Sequence, residues 1–170
     1  MLVSMFAALA LALALLLGSP TPVVDYHWPT GGPAAVLRAF SPPEVPWGSG
    51  HRGVDLQLAE GSVVVAAGDG TVVYAARLAG RGVVSIEHAD GLRTTYEPVE
   101  ASVRRGEHVR RGDPIGVLAA GHCEGGCLHL GARRGPDSYI DPLSLFGIKR
   151  VRLLPLDGSR VDLRLADAPV

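Results

Sequence analysis

Beyond Gly48 the chain is a succession of short runs rich in Val, Ile, Thr and Tyr, punctuated by Gly-bearing turns. That is the pattern of strands joined by tight connections, and no stretch there has the apolar spacing of an amphipathic helix. The runs are Ser62–Ala67, Gly70–Ala76, Gly82–His88, Leu92–Tyr96, Ile115–Ala120 and Cys127–Ala132, with a lead-in strand expected near Ala35–Phe40. Gly68-Asp69-Gly70 and Ala89-Asp90-Gly91 supply turns, the second of them a hairpin signal. Ala101–Gly106 and Glu107–Gly112 read as a doubled element, each placing Val among polar residues and ending in Arg-Arg-Gly. The expected fold is therefore all-β, a compact antiparallel β-sheet or hybrid-barrel domain with Gly-rich turns. One helical turn is expected at Ser144–Phe146, and a terminal hairpin across Asp157-Gly158.

Residues Leu2–Leu17 form an almost unbroken run of Leu and Ala, stopped by Gly18-Ser19-Pro20. With no polar face to show to water, this run predicts export, as a signal peptide or a short membrane anchor. The expected organisation is a leader over 1–19, a linker over 20–34, the β domain over 35–147 and an extension over 148–170. Sixteen basic and 17 acidic residues leave a net charge of −1, which excludes the domain-wide basic field of a nucleic-acid binder. The two cysteines, Cys123 and Cys127, are too few to build a disulfide scaffold, so the domain must stand on a hydrophobic core.

Two segments carry candidate chemistry. In Gly50-His51-Arg52-Gly53-Val54-Asp55-Leu56, a His and an Asp four apart suit a turn entering a strand, with both side chains meeting one ion. In Cys127-Leu128-His129-Leu130, strand alternation sends Cys127 and His129 one way and the two leucines the other. His51, Asp55 and His129 together offer two imidazoles and a carboxylate, a three-donor zinc site with an open fourth position.

The string Gly50–Asp55, the segment Ile86-Glu87-His88-Ala89-Asp90-Gly91-Leu92 with Thr95-Tyr96, the Val-x-x-Gly repeats and Leu128-His129 resemble the lysostaphin-type (LytM-like) zinc metallopeptidases. The resemblance covers roughly Val36–Phe146. It implies a β-sheet domain with a cleft over the sheet, peptidoglycan peptides as substrate, and His51, Asp55 and His129 as zinc ligands. It implies metal-assisted amide hydrolysis, with nearby imidazoles deprotonating the attacking water. Both usual helper imidazoles are replaced: Cys127 stands at the first position of the family's H-x-H, and Pro98 stands two residues after the strand Tyr96.

Three roles are open to Cys127: a disulfide with Cys123, a fourth zinc ligand, or a base. Replacement bases nearby are His122, Glu124 and Glu97, of which His122, in the loop leading to His129, is the candidate catalytic base. His88 is expected to hold its turn. Arg133-Arg134 could bind carboxylates of a peptide stem. The leading expectation is an exported zinc metalloendopeptidase acting on peptidoglycan at the extracellular or periplasmic face, possible membrane attachment included. The alternative is a wall-binding or hydrolase-regulating domain that keeps its metal site. A biotinyl or lipoyl carrier, whose barrel shares the Val-x-x-Gly strings, needs a hairpin lysine, and the sole Lys149 lies outside the repeat.

Overall fold

Alternation of apolar and polar residues along the strands decides the architecture. The computed structural model describes residues 22–45, 47–123 and 125–147; the leader, Glu124 and the expected terminal hairpin lie outside the described residues. Eleven strands follow in chain order: β1 (Val36–Arg38), β2 (Gly53–Gln57), β3 (Val63–Val65), β4 (Gly70–Leu78), β5 (Arg81–Glu87), β6 (Leu92–Glu97), β7 (Val99–Ala101), β8 (His108–Val109), β9 (Pro114–Leu118), β10 (Cys127–Arg134) and β11 (Ser138–Tyr139). A one-turn 3-10 helix, Pro142–Phe146, is capped by the Asp141 side chain. Among the described residues no helix is long and apolar enough to cross a membrane.

Every strand pairing is antiparallel. The larger sheet runs β1-β2-β10-β6-β5-β4-β8 with β11 beside β10, and the smaller runs β3-β9-β7. Both sheets are open rather than closed into a barrel. The doubled element explains part of this, because it spends most of its length in turns. Gly106 and Gly112 take φ of 88° and 85°, and the preceding turns are capped alike: Glu107 accepts from the Arg104 amide and Asp113 from the Arg110 amide. Within strands the doubled element keeps only Ala101, the end of β7, and the two residues of β8.

The inner face of the large sheet is the core. Val54 and Leu56 of β2, Leu128 and Leu130 of β10, Tyr96 and Leu92 of β6, and Val84 and Ile86 of β5 are fully buried there. Tyr26 and Trp28, in the stretch expected as a linker, pack on this core; Trp28 stacks on Phe146 with centroids 4.6 Å apart. The outer face receives the alternate residues. In register, Asp55 lies opposite His129, and His129 opposite Glu97, so one row across three strands gathers all three side chains on that face. A slip of one residue would turn the row into the core.

His88 holds the β5–β6 turn, as expected. Its Nδ1–H donates to the Asp69 carbonyl at 2.8 Å, and its Nε2 accepts from the Thr94 hydroxyl at 2.7 Å. Thr94 in turn accepts from the Tyr96 hydroxyl at 2.9 Å, which itself accepts from the Ala67 amide. Burial pushes the His88 imidazole below its ordinary value of 6.5, so the unfolded chain binds a proton that the folded one resists. The contribution of His88 to stability is complete above pH 6.5 and is lost as pH falls below it. Thermal melts from pH 8 down to 5 are expected to show a declining melting temperature below that point, with a shallower decline in His88→Gln.

Candidate metal centre

His51 sits just before β2, where it bridges Ser41 through two backbone hydrogen bonds of 2.7 and 2.9 Å. That bridge anchors the turn and brings the imidazole over Asp55. His51 Nδ1 lies 2.8 Å from the Ala39 carbonyl, so it must carry the proton that donates to it. In the neutral ring Nε2 is then a bare acceptor. Yet it lies 3.0 Å from Asp55 Oδ1 and 3.0 Å from His129 Nδ1. His129 Nδ1 is itself 2.8 Å from the same Oδ1. His51 Nε2, Asp55 Oδ1 and His129 Nδ1 thus converge on one point, an arrangement satisfied either by a proton on His129 Nδ1, which then donates to Asp55 Oδ1, or by a cation held by all three. Their types, two imidazole nitrogens and a carboxylate oxygen, suit Zn2+. The Ala39 carbonyl fixes the tautomer from behind, as outer partners of metal-binding histidines do.

Asp55 is almost wholly buried. Burial raises its carboxyl, but the hydrogen bond to His129 and the surrounding imidazoles outweigh that and hold it at about 2. It is therefore ionised throughout the neutral range.

His122 reaches the same carboxylate from the solvent side. Its Nε2 is 3.1 Å from Asp55 Oδ1, its ring centroid is 5.3 Å from that of His129, and its side chain stays 24% exposed. The loop that carries it is closed by a Cys123–Cys127 disulfide with Cα atoms 5.6 Å apart. In that state Cys127 has no thiolate, so its roles as a fourth zinc ligand or as a base do not apply. The structure thus brings His51, Asp55, His129 and His122 together, with the disulfide beside them.

Glu97 is a candidate base by sequence, but its place opposite His129 and its ion pair, like the space left at Gly53, were not read there. Glu97, opposite His129, forms an ion pair with Arg81 at 2.9 Å and belongs to a cavity of about 600 Å3 that also includes His51 and His129. The pairing depends on strand register between distant segments. Gly53 was visible only as a glycine between two candidate ligands. A Cβ there would stand 2.6 Å from His129 Nε2 and 2.4 Å from the Leu130 carbonyl, so the imidazole occupies the space of the missing side chain. Gly53→Ala is expected to displace the His129 ring and weaken zinc binding by about 10–100-fold, the range found when an outer partner of a ligand is lost; competition with a chromophoric chelator measures it.

Residues 49–142 match the profile of peptidase family M23. An uncharacterised protein of Mycobacterium tuberculosis is 46% identical over 171 residues, spanning 95% of this chain and 69% of that protein. The murein hydrolase activator NlpD of Escherichia coli is 30% identical over 126 residues, spanning 72% of this chain and 31% of NlpD. Among solved structures, Helicobacter pylori Csd3 superposes with a TM-score of 0.55 at 27% identity, covering 79% of this chain and 36% of Csd3.

Proposed function

The chain belongs to peptidase family M23, and from that premise we propose that it is an exported zinc metalloendopeptidase that hydrolyses peptide bonds in peptidoglycan. The observation that carries this reading is the convergence of His51 Nε2, Asp55 Oδ1 and His129 Nδ1 within 3.0 Å of one another, with the His51 tautomer fixed by a backbone carbonyl.

In this reading His51, Asp55 and His129 would hold the metal, which would supply Lewis acidity for the scissile carbonyl. His122 would be the general base: its side chain is exposed enough to meet water, and the ring nitrogen that carries no proton takes that of the attacking water. The same proton then passes to the departing amine, which leaves as the C–N bond breaks. The Cys123–Cys127 disulfide limits how far the loop can carry His122 from Asp55. The ion pair with Arg81 holds Glu97 on the cleft floor beside His129. The apolar leader supports export and, if it is retained, membrane attachment.

A second reading has its own observation. The two helper positions hold Pro98 and a disulfide-bound Cys127, neither of which can move a proton, and NlpD is by name an activator. The protein would then regulate a wall hydrolase rather than cut. Digestion of purified peptidoglycan by the zinc-loaded full chain, followed by mass spectrometry of released peptides, separates the two. New peptide termini that are absent with His129→Ala support the peptidase. No new termini, together with faster release by an added murein hydrolase, would establish the regulator.

A further inference from the structure

We propose that Arg93 and Arg133 form a carboxylate-binding subsite in the cleft beside His129, one that takes a free carboxylate of a peptide laid along the sheet. The inference rests on the peptide-binding reading above.

Arg93 on β6 and Arg133 on β10 are directly opposite in register, and both line the same cavity as His129. Like charges at directly opposed positions repel, so the fold holds an unfavourable pair on its concave face. Among the described residues, the ion pairs do not cancel it. Glu87 reaches only Arg93, at 3.4 Å and in an exposed position, while Arg133 donates to the neutral Pro136 carbonyl at 3.0 Å. Glu97 is matched by Arg81. The Arg52 guanidinium lies 5.7 Å from the ring of Tyr139, which is the β11 partner of Arg133. By contrast Arg134, the next residue, is turned away and bound to Asp90. The two neighbouring arginines expected to act alike are therefore divided, one structural and one facing the cleft.

Each guanidinium presents a fork of N–H donors that fits the two oxygens of a carboxylate, and the two arginines stand opposite each other on neighbouring strands of the cleft. The subsite also has a defined distance. Four residues of β10 separate Arg133 from His129, roughly 13 Å along a strand, which is about four residues of extended peptide. A carboxylate held there places a bond some four residues away over the metal centre. The carboxylate could be a C-terminus or an acidic side chain.

The test is calorimetric titration of the zinc-loaded full chain with three synthetic wall-stem tetrapeptides: one with all carboxylates free, one amidated only at the C-terminus, and one amidated only at its side-chain carboxylate. The free peptide is expected to bind at least tenfold more tightly than one of the amidated forms, and the form that loses affinity identifies the source. In Arg93→Gln and Arg133→Gln that difference disappears, while the melting temperature is unchanged or raised because a repulsive pair is gone. Arg133→Lys, which keeps charge without the fork, recovers part of it. Equal affinity for all three peptides, whether they all bind or none does, overturns the subsite. So does an amidation effect that survives both substitutions. Equal cleavage of free and amidated peptides would leave the peptidase standing and overturn the subsite; carboxylate-selective binding without cleavage would support the subsite and count against the peptidase.

Discussion

Replacing His129 by Ala is expected to end peptidoglycan cleavage and strip the site of zinc, with a loss greater than about 100-fold in metal affinity, since even an outer partner of a ligand costs up to that much. The reason lies in the row Asp55–His129–Glu97. His129 is the one ligand contributed by β10, and its Nδ1 lies within 3.0 Å of both other donors. Without it, His51 and Asp55 offer two donors, too few for a zinc site of the three-ligand type. The fold itself should survive, because His129 faces the cleft and the core contacts of β10 belong to Leu128 and Leu130. Zinc content after dialysis and released peptides by mass spectrometry, each alongside a thermal melt, check the two halves of this expectation.

The second large effect belongs to His122. His122→Ala is expected to lower the cleavage rate about 10²–10⁴-fold, the usual worth of a positioned general base, while leaving zinc content unchanged. Zinc content distinguishes this from a ligand role. His122 Nε2 is 3.1 Å from Asp55 Oδ1, close enough to donate to a metal as well as to hold a proton. If zinc is lost along with activity, His122 closes the site and is not its base. Mild reduction of Cys123–Cys127 provides a companion result: activity falls because the loop is freed, and zinc stays bound.

Much of this molecule was legible before the fold was known, for reasons that differ by element. The strands declared themselves because their core sides are mostly Val, Leu, Ile and Tyr and their turns need glycine, as at Gly106 and Gly112 with φ of 88° and 85°. His51 and Asp55 stood out because they share one short segment. His122 was singled out because it lies in the loop that leads to His129. What could not be read was anything set by pairing between distant strands. That Glu97 faces His129 and Arg93 faces Arg133 follows from the β6–β10 register, and nothing local in either strand specifies its partner. The role of the Ala39 carbonyl is hidden for the same reason, since it depends on how the segment after β1 meets the turn before β2. Of the sheet and the hybrid barrel that the sequence left open, the structure has open antiparallel sheets, because the repeats that suggest a barrel spend most of their residues on turns.

The most direct measurement is native mass spectrometry of the full chain beside Asp55→Ala, each dialysed after exposure to zinc. One Zn2+ bound per native chain and none per variant is the expected result, since Asp55 Oδ1 is the atom on which all three imidazoles converge. A native chain that binds no zinc, or a variant that binds as much as the native chain, would contradict the assignment of this site as a metal centre.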